Sequence, residues 1–262
     1  MRLNSYDDRV TVSRTPERSP VALVTGASRG LGRALAEALT ARAWRVVVDA
    51  RDADSLAAAV ATMPGPGSAI AVAGDVADPA HRRRLSEAVE AAGGLDLLVN
   101  NASALGPSPQ PPLGAYPLDA LERVFAVNTF APLALLQLLL PVLEVRAGRV
   151  VNLSSDAAVE AYEGWGGYGS AKAALDQLSA VLAAEHPRLR VYAFDPGDMA
   201  TDLQQQAFPG EDISDRPSPE TVVGPLLELV EGVLPSGRYL AADLAERAAV
   251  ATEPRTPPDS AA

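Results

Sequence analysis

Val21-Ala22-Leu23-Val24-Thr25-Gly26-Ala27-Ser28-Arg29-Gly30-Leu31-Gly32 decides how the rest of the chain is read. An uncharged, largely apolar run long enough for a strand passes directly into glycines spaced Gly-x3-Gly-x-Gly. Behind them, Arg33 to Leu39 carries the apolar spacing of a helix. Glycines allow a sharp turn and a close backbone approach to a bound group. A helix starting there offers free N–H groups and the positive end of its dipole. Gly26, Ser28, Arg29, Gly30, Leu31 and Gly32 therefore form a candidate cradle for a pyrophosphate.

Outward from this turn, strands are predicted over residues 21–25, 45–50, 69–74, 95–100, 149–154, 190–195 and 238–241. Helices are predicted over 30–42, 53–62, 79–91, 118–145, 168–185 and 219–233. Several strands (VALVT, LDLLVN, RVVNLS) are mostly apolar without alternating, as expected when helices cover both sheet faces. The alternation predicts an α/β fold: a Rossmann-like, doubly wound, parallel seven-stranded sheet in a single domain over 20–250. Residues 1–19 read as a disordered N-terminal arm and 251–262 as a flexible tail. The proline-rich loop 106–117 follows the fourth strand, and the polar stretch 202–217 reads as a lid over a site.

The bulk composition excludes several chemistries. The 262 residues, 48% hydrophobic and 21% charged, suit one large α/β domain. The absence of cysteine removes disulfides, thiolate metal sites and Cys nucleophiles. His81 and His186 are the only histidines and lie far apart, which argues against a metal cluster or a Ser-His-Asp triad, so no metal is expected. A net charge of −11 disfavours nucleic acid as a partner. No apolar run in the sequence approaches the ~20 residues of a membrane span, and residues 1–19 carry no apolar signal. The expectation is a cytoplasmic protein without a membrane partner.

Tyr168 and Lys172 are four apart and so share one helix face. A free phenol has a pKa of about 10, and a neighbouring ammonium favours the phenolate. Lys172 is therefore expected to pull the Tyr168 hydroxyl down. Asp156, Glu160 and Glu163 make the segment before Tyr168 acidic. They read as solvated loop charges, with selection of cationic or polyhydroxylated substrates as the alternative.

TGASRGLG at 25–32 is followed by Gly74-Asp75-Val76, Asn100-Asn101-Ala102-Ser103, Asn128 in VNTFAP, Ser154-Ser155, Tyr168-x3-Lys172 and Pro196-Gly197-x3-Thr201. In this order, over residues 20–242, these motifs resemble the short-chain dehydrogenase/reductase family. The resemblance implies an oxidoreductase that moves a hydride between NADP(H) and a carbonyl or secondary alcohol. Tyr168 would act as general acid or base, and Lys172 would also hold the nicotinamide ribose. Ser155 would hydrogen-bond the substrate oxygen, and Asn128 would bind a relay water. The same resemblance assigns cofactor contacts to Arg51, Asp75, Val76, Asn101, Ala102, Pro196, Gly197, Met199 and Thr201, beside the glycine turn, Tyr168 and Lys172.

The chain departs from the family pattern at Ser103 (usually glycine), Asp195 (commonly asparagine) and Ala43 (commonly glycine), and it lacks a C-terminal Val-Asp-Gly-Gly run. NAD enzymes of the family place an Asp at the end of the second strand. Here that position falls on Ala50, followed by Arg51, which with Arg29 suits a 2′-phosphate. A one-residue slip would bring Asp49 there and favour NAD(H). The alternative readings are an NAD(H)-dependent alcohol dehydrogenase and a non-catalytic NADP(H)-binding regulatory protein. Candidate pocket residues are Ala104, Leu105, Ala157, Tyr162, Glu163, Trp165 and Met199. The apolar residues 129–143 exceed what one sheet face can cover, and with the resemblance this predicts a homodimer or homotetramer.

Overall fold

A computed structural model describes residues 18–252. The first half runs β1 (Val21–Val24), α1 (Gly30–Ala41), β2 (Arg45–Ala50), α2 (Ala53–Ala61), β3 (Ser68–Ala73), α3 (Pro79–Ala91) and β4 (Leu97–Asn100). Next come α4 (Leu118–Phe125), a π-helical turn (Ala126–Phe130), α5 (Ala131–Arg146), β5 (Arg149–Leu153) and α6 (Gly166–Glu185). The last described elements are β6 (Arg190–Asp195), α7 (Asp202–Ala207), α8 (Glu220–Glu231), β7 (Gly237–Leu240) and α9 (Ala241–Thr252). The seven strands form one parallel sheet in the order β3-β2-β1-β4-β5-β6-β7.

Side chains alternate along each strand and feed two separate cores. Ala22, Val24, Leu97, Val99, Val151, Tyr192 and Phe194 pack with Leu31 and Leu35 of α1 and Val222 and Leu226 of α8. Val21, Leu23, Leu98, Val150 and Val191 face the other way, onto Leu85 of α3, Leu135 and Leu139 of α5 and Leu182 of α6. Helices therefore cover both faces, which is why the strands read as apolar runs. The strand order reverses between β1 and β4. In open α/β sheets a crevice for ligands forms at such a switch point, beyond the carboxyl ends of the strands.

The structure corrects several boundaries. Residues from Leu118 to Arg146 form one continuous helical stretch, long and apolar enough to cross a membrane by length and composition alone. The sequence expectation that no apolar run approaches that length therefore fails. Leu135, Leu139 and Leu143, at helical spacing, are buried against the sheet, and half of its most apolar part is covered. The stretch 202–217 opens with a short helix, α7, whose N-cap Thr201 accepts a hydrogen bond from Gln204 N–H. Helix α9 was not expected at all. It extends to Thr252, where a tail from 251 was expected. The rest of both terminal expectations lies outside the described residues.

Candidate active site

The glycine turn is held from beneath by buried and half-buried polar groups. Asn101 donates through Nδ2 to the carbonyls of Thr25 (2.7 Å) and Gly26 (3.1 Å). Thr25 Oγ1 accepts the N–H groups of Asn101 and Ala102, both at 3.0 Å. A Cβ at Gly26, whose φ is +68°, would stand 2.9 Å from the Ala102 backbone, and one at Gly32 would strike the Asn101 amide. These positions therefore require glycine. Asp49 closes the arrangement. Its Oδ1 accepts Gly26 N–H at 2.7 Å and its Oδ2 lies 3.0 Å from Nε2 of the buried His81.

A cleft of about 1420 Å3 runs from this turn along the carboxyl ends of the strands. It is lined by Ser28, Arg29, Gly30, Leu31, Arg51, Asp75, Val76, Asn101, Ala102, Pro196, Met199 and Thr201, and it reaches Tyr168 and Lys172. Two expected cofactor residues lie elsewhere: Gly32 packs on Asn101, and Gly197 lines a smaller cavity. Helix α1 has no side chain capping its first turn, so its N–H groups remain open to an anion. Asp75 accepts Ala77 N–H and pairs with Arg123 at 2.5 Å. Burial pushes its carboxyl up, but these bonds outweigh burial and leave it lowered. Arg29 pairs with Asp202 of α7 at 2.6 Å, and both are exposed. Arg51, also exposed, makes no hydrogen bond or ion pair among the described residues.

Tyr168 and Lys172 meet at the inner end of the cleft, one helical turn apart on α6. Lys172 is 2% exposed, donates to Leu153 O at 2.6 Å and places Nζ 5.5 Å from the centre of the Tyr168 ring. Burial pulls its ammonium down to about 8, against the carboxylates of Asp176 and Asp195. Tyr168 is pushed up to about 12. Burial is the main cause, Ser103 opposes it by a hydrogen bond, and Asp195 and Asp156 add to it. The expected lowering by Lys172 is thus reversed, because the phenol has lost its water.

The remaining expected groups surround this pair. The Asn128 side chain accepts Ala104 N–H at 2.8 Å and donates to Ala104 O at 2.9 Å. It also accepts from Ser103 Oγ at 3.3 Å. The side chain is thereby committed to the loop after β4. Its position in the π-helical turn is one where the regular helix ladder is interrupted. Ser155 and Tyr168 share the small cavity, of about 80 Å3, with Leu105, Trp165 and Met199. The Ser155 hydroxyl donates to Asp156 Oδ1 at 2.8 Å. Ala104, Leu105 and Met199 line the large cleft, whereas Ala157, Tyr162 and Glu163 line neither space.

Sequence reasoning missed the platform beneath the site. Ser154 donates to Asp176 at 2.8 Å. Arg238 of β7 bridges Asp176 (3.1 Å), Asp195 (2.8 Å) and the Ser155 carbonyl (3.1 Å). The available signal was Asp195 itself, a carboxylate where the family pattern has an amide. Asp49 and His81 were missed as a pair for the same reason: they lie 32 positions apart in sequence.

Comparison with known proteins agrees with this fold. A family model described as short chain dehydrogenase matches residues 20–212. The rhamnolipids biosynthesis 3-oxoacyl-[acyl-carrier-protein] reductase of Pseudomonas aeruginosa is 39% identical over 172 residues, covering 63% of this chain and 66% of that protein. The chain thus spans just under two thirds of that relative's length. Sepiapterin reductase of Mus musculus is 35% identical over 201 residues, covering 71% of this chain and 77% of that protein. Among solved structures, a Shigella flexneri protein described as a short chain dehydrogenase and complexed with NADP superposes with TM-score 0.77 at 26% identity, covering 85% of this chain and 97% of that one.

Proposed function

This chain belongs to the short chain dehydrogenase family, and we propose that it transfers a hydride between NADP(H) and a carbonyl or secondary alcohol substrate, with Tyr168 as general acid–base group. The observation that carries the reading is the buried Tyr168–Lys172 pair at one end of a cleft whose other end is the glycine turn. The residues fit a dinucleotide. The cleft exceeds the roughly 300–1,000 Å3 of ordinary small-molecule pockets, and the N-terminus of α1, without a side-chain cap, would hold a pyrophosphate. The NADP form is favoured by Ala50 at the end of β2, by the exposed Arg51 beside it, which makes no hydrogen bond or close ion pair among the described residues, and by Asp49 being turned inward onto Gly26 and His81.

The bound nicotinamide supplies the hydride, and this chain's residues handle the rest. Tyr168, with its pKa near 12, holds its proton at neutral pH and gives it to the substrate oxygen as that oxygen becomes an alkoxide. Lys172 presents its positive charge against the Tyr168 ring and would hold the ribose hydroxyls. Ser155 releases Asp156 to hydrogen-bond the substrate oxygen. Asn128 holds Ala104 and Ser103 in place at the same end of the cleft.

The test is carbonyl-dependent oxidation of NADPH. Tyr168→Phe keeps the ring and its packing, so cofactor affinity is retained while turnover falls at least ~100-fold, the scale of a positioned acid. Full activity in that variant would remove Tyr168 from the mechanism. The outward faces of the α5 and α6 region expose Phe130, Leu138, Val145 and Val181, and we assign them to a homodimer or homotetramer contact. A solution mass near the 27.2 kDa of one chain at micromolar concentration refutes that assignment.

A further inference from the structure

Behind the glycine turn runs a chain of polar contacts that hydride transfer does not use. Arg84 Nη2 lies 3.2 Å from His81 Nδ1, His81 Nε2 lies 3.0 Å from Asp49 Oδ2, and Asp49 Oδ1 accepts Gly26 N–H at 2.7 Å. His81 is fully buried and Asp49 nearly so. The seat is shaped for the ring, because a Cβ at Gly74 would strike the imidazole.

These contacts fix which ring nitrogen carries the hydrogen. A guanidinium has donors only, so Nδ1 accepts from Arg84 and Nε2 donates to Asp49. Both His81 and Arg84 stand on α3, three residues apart and so on neighbouring positions of one face.

Asp49 is the last residue but one of β2, and it lines the cleft together with Ala50 and Arg51. Its carboxylate has donors behind it and open cleft in front. With Gly26 N–H on one oxygen and His81 on the other, it is satisfied from behind. Without His81, Oδ2 would be a buried carboxylate oxygen lacking a donor, which favours turning toward any donor in the cleft. The 2′-hydroxyl of an NAD(H) ribose is such a donor. A 2′-phosphate offers none and is repelled.

We propose that His81 is a positioning residue that sets cofactor choice: by holding Asp49 from behind, it withholds that carboxylate from the adenosine ribose and so admits a 2′-phosphate. This rests on the NADP(H) reading above and deepens it, since it names the group that makes an acidic residue at this end of β2 compatible with NADP(H).

Dissociation constants of NADPH and NADH, read from the fluorescence of the reduced nicotinamide, test the inference without turnover. His81→Leu keeps most of the buried volume and removes the donor. It is expected to cut the preference for NADPH over NADH by about tenfold. His81→Gln carries an amide N–H the same number of bonds from the backbone, and should hold the preference within about twofold of the parent. Asp49→Asn added to His81→Leu removes the charge and should restore most of the preference. A residue that only shaped the turn would weaken both cofactors alike, because the pyrophosphate is common to them.

Arg84 is exposed, so Arg84→Met leaves the fold intact while freeing Nδ1 to take the hydrogen from Nε2. The preference should then fall about threefold, and this variant decides if His81→Leu does not fold. A parent that prefers NADPH and keeps that preference in His81→Leu, or in Arg84→Met where His81→Leu does not fold, overturns the inference and leaves the NADP(H) reading standing. A parent that binds NADH as tightly as NADPH overturns both.

Discussion

The guanidinium of Arg238 holds the buried carboxylate of Asp195, with Nη2 donating to Oδ2 at 2.8 Å. Asp195 is 4% exposed, and its other oxygen accepts Gly197 N–H at 3.0 Å, so the pair also fixes the turn at the mouth of the small cavity. Removing one partner of such a pair strands a charge away from water, which costs more than the pair itself contributes. Arg238→Met should therefore destabilise the protein by about 3 kcal/mol, lowering Tm by roughly 6–12 °C for a domain of this size. Asp195→Asn added to Arg238→Met should recover much of the loss. A thermal melt of the single variant within a degree of the parent would show that the pair contributes nothing.

The pH dependence follows from Lys172. Its pKa is depressed to about 8, so the side chain loses its proton as pH rises through that value. Tyr168, raised to about 12, stays protonated across the same interval. Carbonyl reduction needs the ammonium charge and the phenol proton together. The kcat/KM for reduction should be level below about pH 8 and fall above it, approaching tenfold per unit. Lys172→Arg keeps the charge at all these pH values and should abolish the fall, at a lower overall rate. A wild-type profile that stays level up to about pH 10 would contradict this assignment.

Ala43, two residues past the end of α1, has φ +64°, in the left-handed region where the family pattern has glycine. An L-residue pays roughly 1–2 kcal/mol there, partly offset by the greater freedom glycine has in the unfolded chain. Ala43→Gly should accordingly stabilise the protein by about 0.5–1 kcal/mol, a rise in Tm of about 2–3 °C, with activity unchanged. A lower Tm in this variant would mean that the Ala43 side chain contributes packing not seen in its surroundings.

What the sequence revealed and what it hid divide along the range of the interactions. Strands β1, β2 and β4–β6 were legible because burial on both faces leaves Val, Leu and Ala at neighbouring positions. The order of motifs around Gly26, Tyr168 and Lys172 was legible because each is local. Alternation along β2 turns Asp49 away from the direction of Ala50, onto Gly26 and His81. Helix α7 escaped because six residues carry too little periodicity, and α9 because it starts immediately after β7 with no loop to mark the change. Arg238 stands 43 and 62 positions from its two carboxylate partners, a distance no motif records. The pKa of Tyr168 was misread because Lys172 was visible in the sequence and burial was not.

Cofactor choice turns on the end of β2. Asp49 is 2% exposed, and both its oxygens are engaged, one by Gly26 N–H and one by His81. It is therefore not free to accept ribose hydroxyls, as the carboxylate of an NAD-selective enzyme would. Arg51 is exposed on the cleft and makes no hydrogen bond or close ion pair among the described residues, its charge acting on Asp75 at longer range, whereas Arg29 must first leave Asp202. An exposed pair of this kind is worth about 0–1 kcal/mol, so a phosphate can displace it readily. Arg51→Ala should cost more of the NADP(H) preference than Arg29→Ala, by about tenfold against a few-fold, each tenfold step being about 1.4 kcal/mol. Asp202→Ala should tighten NADP(H), because it frees Arg29 and removes a negative charge from the phosphate's neighbourhood. The ratio of kcat/KM with NADPH to that with NADH, measured for all four proteins, decides. A wild-type ratio at or below unity would show that the 2′-phosphate is not what Arg51 awaits.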